Sequence, residues 1–286
     1  MEVKTIAVVG AGTMGRGIAY AAVAGGFRTL LTDVSEAVLA KAQSYIRETL
    51  RGAKERGKWS GDVEEAVARL TMRARLEDAG TADLVIEAVP EDTQLKVETF
   101  VRLDKVARAE TILASNTSSL SLSEMSAVVS RPDRFVGMHF FNPVPKMRLI
   151  ELVHTSETSE ETMQTAEAVA RQMGKETVRV KDSPGFANSR INALIGNEAF
   201  RMLEEGIASA EDIDKAVKLG LNHPMGPFEM VDLVGLDVRL AILEYLHQTL
   251  GERFQPSRLQ RELVAQGRLG RKVGRGVYDY EKKQER

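Results

Sequence analysis

Up to the segment VRVKDSPGF (178–186), short apolar runs alternate along the chain with longer stretches of helical period. IAVV (6–9), TLLTD (29–33), DLVIEAVP (83–90), TILASN (111–116), RFVGMHF (134–140) and RLIELVH (148–154) read as strands, being short, apolar and rich in branched side chains. Between them, a stretch beginning at Gly12, a second with Val38, Leu39, Ala42, Tyr45, Ile46 and Leu50 on one face, and segments 97–109 and 161–173 read as helices. This alternation predicts an α/β fold with a largely parallel sheet. Beyond Phe186 the strand pattern stops. Segments 191–206, 209–220 and 237–251 carry helical spacing, the second with an acid-rich first turn and Gly220 as its stop. Two domains are expected, residues 1–183 and an all-helical 184–286, divided near Ser183-Pro184-Gly185.

The first strand turns into the first helix through Gly10-x-Gly12-x-x-Gly15, and an acid, Asp33, closes the second strand. Gly10 permits the tight turn, Gly12 admits a pyrophosphate close to the backbone, and Gly15 lets helix and strand pack closely. The amides of the turn, Thr13 and Met14 among them, attract phosphate. The pattern predicts a doubly wound, Rossmann-type domain. Asp33 can accept hydrogen bonds from a ribose 2′-hydroxyl and would repel a 2′-phosphate, and no Arg follows it in VSEAV, so NAD is expected over NADP.

Composition narrows the function. With 39 Lys and Arg against 41 Asp and Glu, the surface has no overall field for nucleic acid or anionic membrane. Absence of cysteine removes disulfides, thiolate catalysis and cysteine-held metals, and no metal site is expected. The first apolar run is too short for a signal peptide and no stretch approaches a membrane span, so a cytoplasmic protein is expected. Gly52 to Lys58 nearly matches a triphosphate-binding loop. Trp59 stands where a magnesium-binding hydroxyl belongs, however, and a helix precedes the segment in place of a strand.

In open α/β sheets, ligands bind at the carboxyl ends of strands. Three such ends carry polar groups: SNTSSL (115–120), HFFNPVP (139–145) and Glu151. His139 is the natural acid/base, because imidazole titrates near neutrality and oxidising an alcohol requires a proton acceptor. Glu151, on the next strand, could hold the second ring nitrogen. A buried histidine satisfied by a carbonyl, beside a structural glutamate, accounts for these two positions equally well. His154, His223 and His247 read as structural.

The motifs SNTSSL, GMHFFNPVPKMRLIELV (137–153), DSPGF (182–186) and KLGLNHPMGPFEMVDLVGLD (218–237) resemble the 3-hydroxyacyl-CoA dehydrogenase family, in particular its short-chain 3-hydroxybutyryl-CoA members, and the likeness runs from Ile6 to Tyr280. The resemblance implies NAD-dependent, reversible oxidation of an L-3-hydroxyacyl-CoA to a 3-oxoacyl-CoA, with a helical second domain that forms a homodimer and closes over the acyl-CoA. By motif, His139 matches the family's base, Glu151 its partner, and Ser118 the serine at the substrate oxygen and the nicotinamide side. Glu91, Lys96, Asn116, Asn142 and Lys272 match cofactor-contacting positions, with Asn142 near the substrate as well. Thr49, Lys54 and Arg56 are the loosely matching candidates for CoA. Where relatives carry Asn after PGF, this chain has Ser189, which is expected to make a weaker substrate contact. Alternatives are a 3-hydroxyadipyl-CoA dehydrogenase of aromatic breakdown, a β-hydroxyacid dehydrogenase, against which the His139 and Glu151 pair argues, and a non-catalytic NAD-binding protein on this scaffold. No hydratase segment is present, so a stand-alone dehydrogenase is expected.

Overall fold

The computed structural model describes residues 1–280. The chain divides into two compact units, Met1–Phe186 and Ala187–Arg286.

The first unit is built on strands β1 (Thr5–Val9), β2 (Arg28–Thr32), β3 (Leu70–Arg73), β4 (Leu84–Glu87), β5 (Ile112–Ser115), β6 (Phe135–Phe140), β7 (Leu149–His154) and β8 (Glu176–Lys181). They form one sheet in the order β3-β2-β1-β4-β5-β6-β7-β8. Every pairing is parallel except β6 with β7. The helices of this unit are α1 (Thr13–Ala24), α2 (Glu36–Glu55), α3 (Val63–Ala68), α4 (Thr93–Val106), α5 (Leu122–Ser126) and α6 (Glu160–Gln172).

Alternation along the strands divides the core into two layers. Ile6, Val8, Leu84 and Ile86 point into one cluster with Ile18 of α1, Leu39 of α2, Ala66 of α3 and Met163 of α6. Ala7, Val9, Val85 and Leu113 point into the other with Phe100 of α4 and Leu122 of α5. Burial on both faces explains why these strands read as unbroken apolar runs.

The antiparallel pair follows from its connection. Only residues 141–148 join β6 to β7, with no crossover helix, so the chain must reverse direction. That reversal pairs Gly137 with Val153 and His139 with Glu151.

The second unit contains α7 (Asn188–Glu204), α8 (Ala210–Gly220), α9 (Pro227–Val234), α10 (Leu236–Leu250) and α11 (Arg258–Ala265). Asp214, buried on α8, accepts the Phe228 and Glu229 amides at the start of α9 and the Tyr278 hydroxyl at 2.8 Å. Asp232 accepts the Val277 and Tyr278 amides and the Tyr280 hydroxyl, which fastens the last described residues to α9. Six elements went unread in the sequence: β3, α3, α5, β8, α9 and α11. Each spans only four to eight residues, too few to establish a period against its neighbours.

Candidate active site

The turn after β1 shows why glycine is needed at two of its positions. Gly10 has φ of 97°, and a Cβ there would meet the Ala88 carbonyl oxygen at 2.6 Å. A Cβ on Gly15 would stand 1.7 Å from the Gly10 carbonyl oxygen, so α1 can cross this turn only without a side chain there. Gly12 is different: nothing lies within 4 Å of its Cβ position. The helix it opens has no side-chain cap, whereas Ser35, Asp62, Asp92, Ser121 and Ser159 cap α2 to α6. Uncapped amides facing open space suit a pyrophosphate.

Asp33 ends the neighbouring strand. Its Oδ2 accepts the Ala11 amide and its Oδ1 the Ser35 amide, both at 2.9 Å, so one carboxylate ties the glycine turn to the start of α2. The turn and Asp33 line a cavity of about 1090 Å³ along the strand ends. Gly10, Gly12, Thr13, Met14, Glu91, Lys96, Asn116, Ser118, His139 and Asn142 line the same cavity, which is large enough for a dinucleotide.

His139 and Glu151 face each other across the antiparallel pair, and His139 Nδ1 donates to Glu151 Oε2 at 2.7 Å. His139 is 6% exposed and Glu151 fully buried. Phe141 and Phe186 flank the imidazole, with ring centroids 4.4 and 5.8 Å away. With Nδ1 engaged, the tautomer is set and Nε2 is the nitrogen left for proton transfer.

A second polar group surrounds the 115–120 loop. Glu91 Oε1 accepts the Thr117 hydroxyl at 2.6 Å, the Ser118 amide at 2.9 Å and the Ser118 hydroxyl at 3.2 Å. Burial pushes the Glu91 carboxyl up, but the Lys96 ammonium, the Thr117 hydroxyl and the Ser118 amide together bring it below its ordinary range. Asn116 Oδ1 accepts the Phe140 amide at 3.0 Å, joining this loop to β6 beside His139. Lys175 holds the β6–β7 connection from outside, donating to the Val144 and Met147 carbonyls.

Within the first unit, the expected CoA contacts Thr49, Lys54 and Arg56 lie off the cavity wall. Thr49 donates to the Tyr45 carbonyl within α2, Lys54 lies 3.9 Å from Asp62, and the Arg56 guanidinium folds over Gly52. These three, with the triphosphate-loop look-alike, occupy the end of α2 and the turn after it. Ser189 sits in the first turn of α7, and Lys272 is clamped at 2.6 Å by both oxygens of Asp237, all within the helical unit. His154 bonds the Thr155 carbonyl and His247 lies 3.2 Å from Glu252. Sequence reasoning passed over Glu87, which is fully buried and bonded to Lys96 and Ser115. The signal was present, since a charge ending the run LVIE must find a partner when buried.

Residues 5–183 match the NAD binding domain of 3-hydroxyacyl-CoA dehydrogenase, and residues 185–280 match the C-terminal domain of the same enzymes. The chain belongs to the 3-hydroxyacyl-CoA dehydrogenase family. It is an NAD-dependent oxidoreductase. Among its relatives, a Bacillus subtilis protein named "Probable 3-hydroxybutyryl-CoA dehydrogenase" is 45% identical over 99% of both chains. The human mitochondrial hydroxyacyl-coenzyme A dehydrogenase is 42% identical over 97% of this chain and 91% of its own. The crystal structure of (S)-3-hydroxybutyryl-CoA dehydrogenase from Ralstonia eutropha superposes with a TM-score of 0.94 at 44% identity, covering 98% of this chain and 99% of that one.

Replacing Asp33 with Ala removes the carboxylate expected to accept from a ribose, together with the tie to the glycine turn. NAD affinity should fall about ten- to a hundredfold, as expected for losing a hydrogen bond to a charged group, and discrimination against NADP should relax. Calorimetric titration of both cofactors checks this, and an unchanged NAD to NADP ratio removes Asp33 as the selector.

Proposed function

We propose that the protein oxidises short-chain L-3-hydroxyacyl-CoA, 3-hydroxybutyryl-CoA foremost, with His139 as the base. The observation that carries this reading is the buried His139–Glu151 pair on the wall of the cavity that also holds the glycine turn and Asp33. When bound, NAD supplies the hydride acceptor. His139 Nε2 takes the proton of the 3-hydroxyl group, and Glu151 stabilises the positive charge then carried by the ring and keeps it oriented. In reverse, the same imidazolium returns the proton to the 3-oxo oxygen. Ser118 assists at that oxygen by turning its hydroxyl from Glu91, its acceptor at 3.2 Å, toward the substrate.

Asn142, on the same wall, contacts cofactor and substrate, and Glu91, Lys96 and Asn116 contact the cofactor. Lys272 serves the cofactor from the helical domain. Thr49, Lys54 and Arg56 meet CoA, and Ser189 makes a short-reach contact to the acyl group. We assign residues 1–183 to cofactor binding and 184–286 to substrate and dimerisation, with residues 281–286 outside the described part of the chain. Ile191, Leu219, Leu221, Leu233 and Val238 of the helical unit are between 43 and 75% exposed, which supports self-association there. Among the described residues no helix is long and apolar enough to cross a membrane. We place the protein in the cytoplasm.

His139→Gln should lower turnover by about 10²–10⁴ while NAD affinity stays near that of the parent, because the imidazole moves the proton and does not hold the phosphates. Stopped-flow turnover with parallel NAD titration checks this, and unaltered turnover excludes His139 as base. A series of 3-oxoacyl-CoA substrates of rising length, with one ending in a carboxylate, followed by NADH absorbance, tests the substrate. Acetoacetyl-CoA should give the highest kcat/KM, and a higher value for the carboxylate-ended substrate would favour the 3-hydroxyadipyl assignment. Light scattering should return twice the 31.5 kDa chain mass; a single-chain mass at micromolar concentration rejects the dimer.

A further inference from the structure

The carboxyl ends of β1, β4 and β5 form a row across the sheet, in which register places Val9 beside Glu87 and Glu87 beside Ser115, with Gly137, midway along β6, next to Ser115. Glu87 is the one charged side chain in that row, and it is fully buried. Its Oε1 accepts the Lys96 ammonium at 2.6 Å and the Val89 amide at 2.8 Å, and its Oε2 accepts the Ser115 hydroxyl at 2.7 Å. Lys96, 1% exposed, comes down from α4 and also lies 3.3 Å from Glu91 Oε2. Two carboxylates thus share one ammonium, and the nearer one is the buried Glu87. Burying a carboxylate is costly, and an apolar side chain would close the strand end without that cost, so a function has to account for the charge. Lys96 and Glu91 both line the cavity, and Glu91 is the exposed member, its side chain 39% exposed against 1% for Lys96.

We propose that Glu87 is a positioning residue that takes the nearer share of the Lys96 ammonium, so that the group keeps one net negative charge with Glu91 as its member exposed at the cavity wall, favouring the oxidised, positively charged nicotinamide over the reduced, neutral one. The inference rests on His139 marking the reacting end of the cavity. Glu91 stands at that end. It binds Ser118, and Asn116 of the same loop binds the Phe140 amide next to His139, whereas Asp33 follows β2, three places across the sheet from β5. A hydride acceptor would sit beside the carbon whose hydroxyl His139 deprotonates, so Glu87, Lys96 and Glu91 would be the charged group toward the ring whose charge changes during the reaction. With Glu87 in place the group carries one net negative charge, and without it none.

The test is the ratio of NADH to NAD dissociation constants. Contacts to adenosine, pyrophosphate and riboses are shared by the two forms and cancel, leaving the charge on the ring. Glu91→Gln and Glu87→Gln should each shift the ratio toward NADH by about three- to tenfold, the effect of one charge at this separation and partial exposure. The double variant Glu87→Gln with Lys96→Met, in which Glu91 is the remaining charge, should return the ratio to that of the parent. If Glu87→Gln does not fold, the double variant and Glu91→Gln decide the matter. A merely structural role for Glu87 predicts a lower Tm and equal loss of both affinities. That result, an unchanged ratio in Glu91→Gln, or a double variant that fails to restore it overturns the inference. Failure of the parent protein to bind either form would instead overturn the reading of the cavity itself.

Discussion

The antiparallel register between β6 and β7 is the constraint on which the site depends. His139 and Glu151 are far enough apart in sequence to have no local reason to meet, and they do so because this hairpin pairs them face to face. Side chains alternate along a strand, so a slip of one residue would send Glu151 into the layer of Ile150 and Leu152 and leave the imidazole against apolar neighbours. The packing of those two residues on one face and Val153 on the other holds the register. The 2.7 Å hydrogen bond is therefore guarded by the hydrophobic core on both sides of the sheet.

The same alternation explains how a single face gathers the polar groups. Glu87, Ser115, His139 and Glu151 all share the face of Val9, Val85 and Val153, on which α4 and α5 pack. The opposite face, covered by α1, α2, α3 and α6, carries apolar side chains at most of the described strands' inner positions, with Thr29 of β2 buried among them. Parallel strands end together, and the row of their carboxyl ends becomes the wall of one cavity. Buried charge there is organised as pairs: Glu151 with His139, and Glu87 with Lys96. Each carboxylate is in contact with a proton donor that can carry positive charge, which is the condition under which ionic groups survive away from water.

The glycine turn was legible because its requirements are local. A positive φ at Gly10 and the absence of room at Gly15 depend on a strand, a turn and a helix contiguous in sequence, so the motif states its own geometry. The strands β1, β2, β4, β5, β6 and β7 were legible for a related reason, since burial on both faces leaves a continuous apolar run. The strand β3 was not, because LTMR at the edge of the sheet is only partly buried and too short to show a pattern. Lys96 and Ser118 could be proposed from motif likeness, whereas for Glu87 the sequence signals only a charge that needs a partner; its partners, a lysine one helix away and a serine one strand away, are set by the fold.

By itself the amino-acid sequence determined the fold class, the cofactor, and which residue types stand at the strand ends, since periodicity, glycine placement and the acid at Asp33 act over a few tens of residues at most. Tertiary structure decided which of those residues act together. Whether His139 meets Glu151 or a backbone carbonyl, and whether Lys96 answers to Glu87 or to Glu91, depends on sheet register and helix docking. Those are properties of contacts between distant segments, which short-range patterning cannot express.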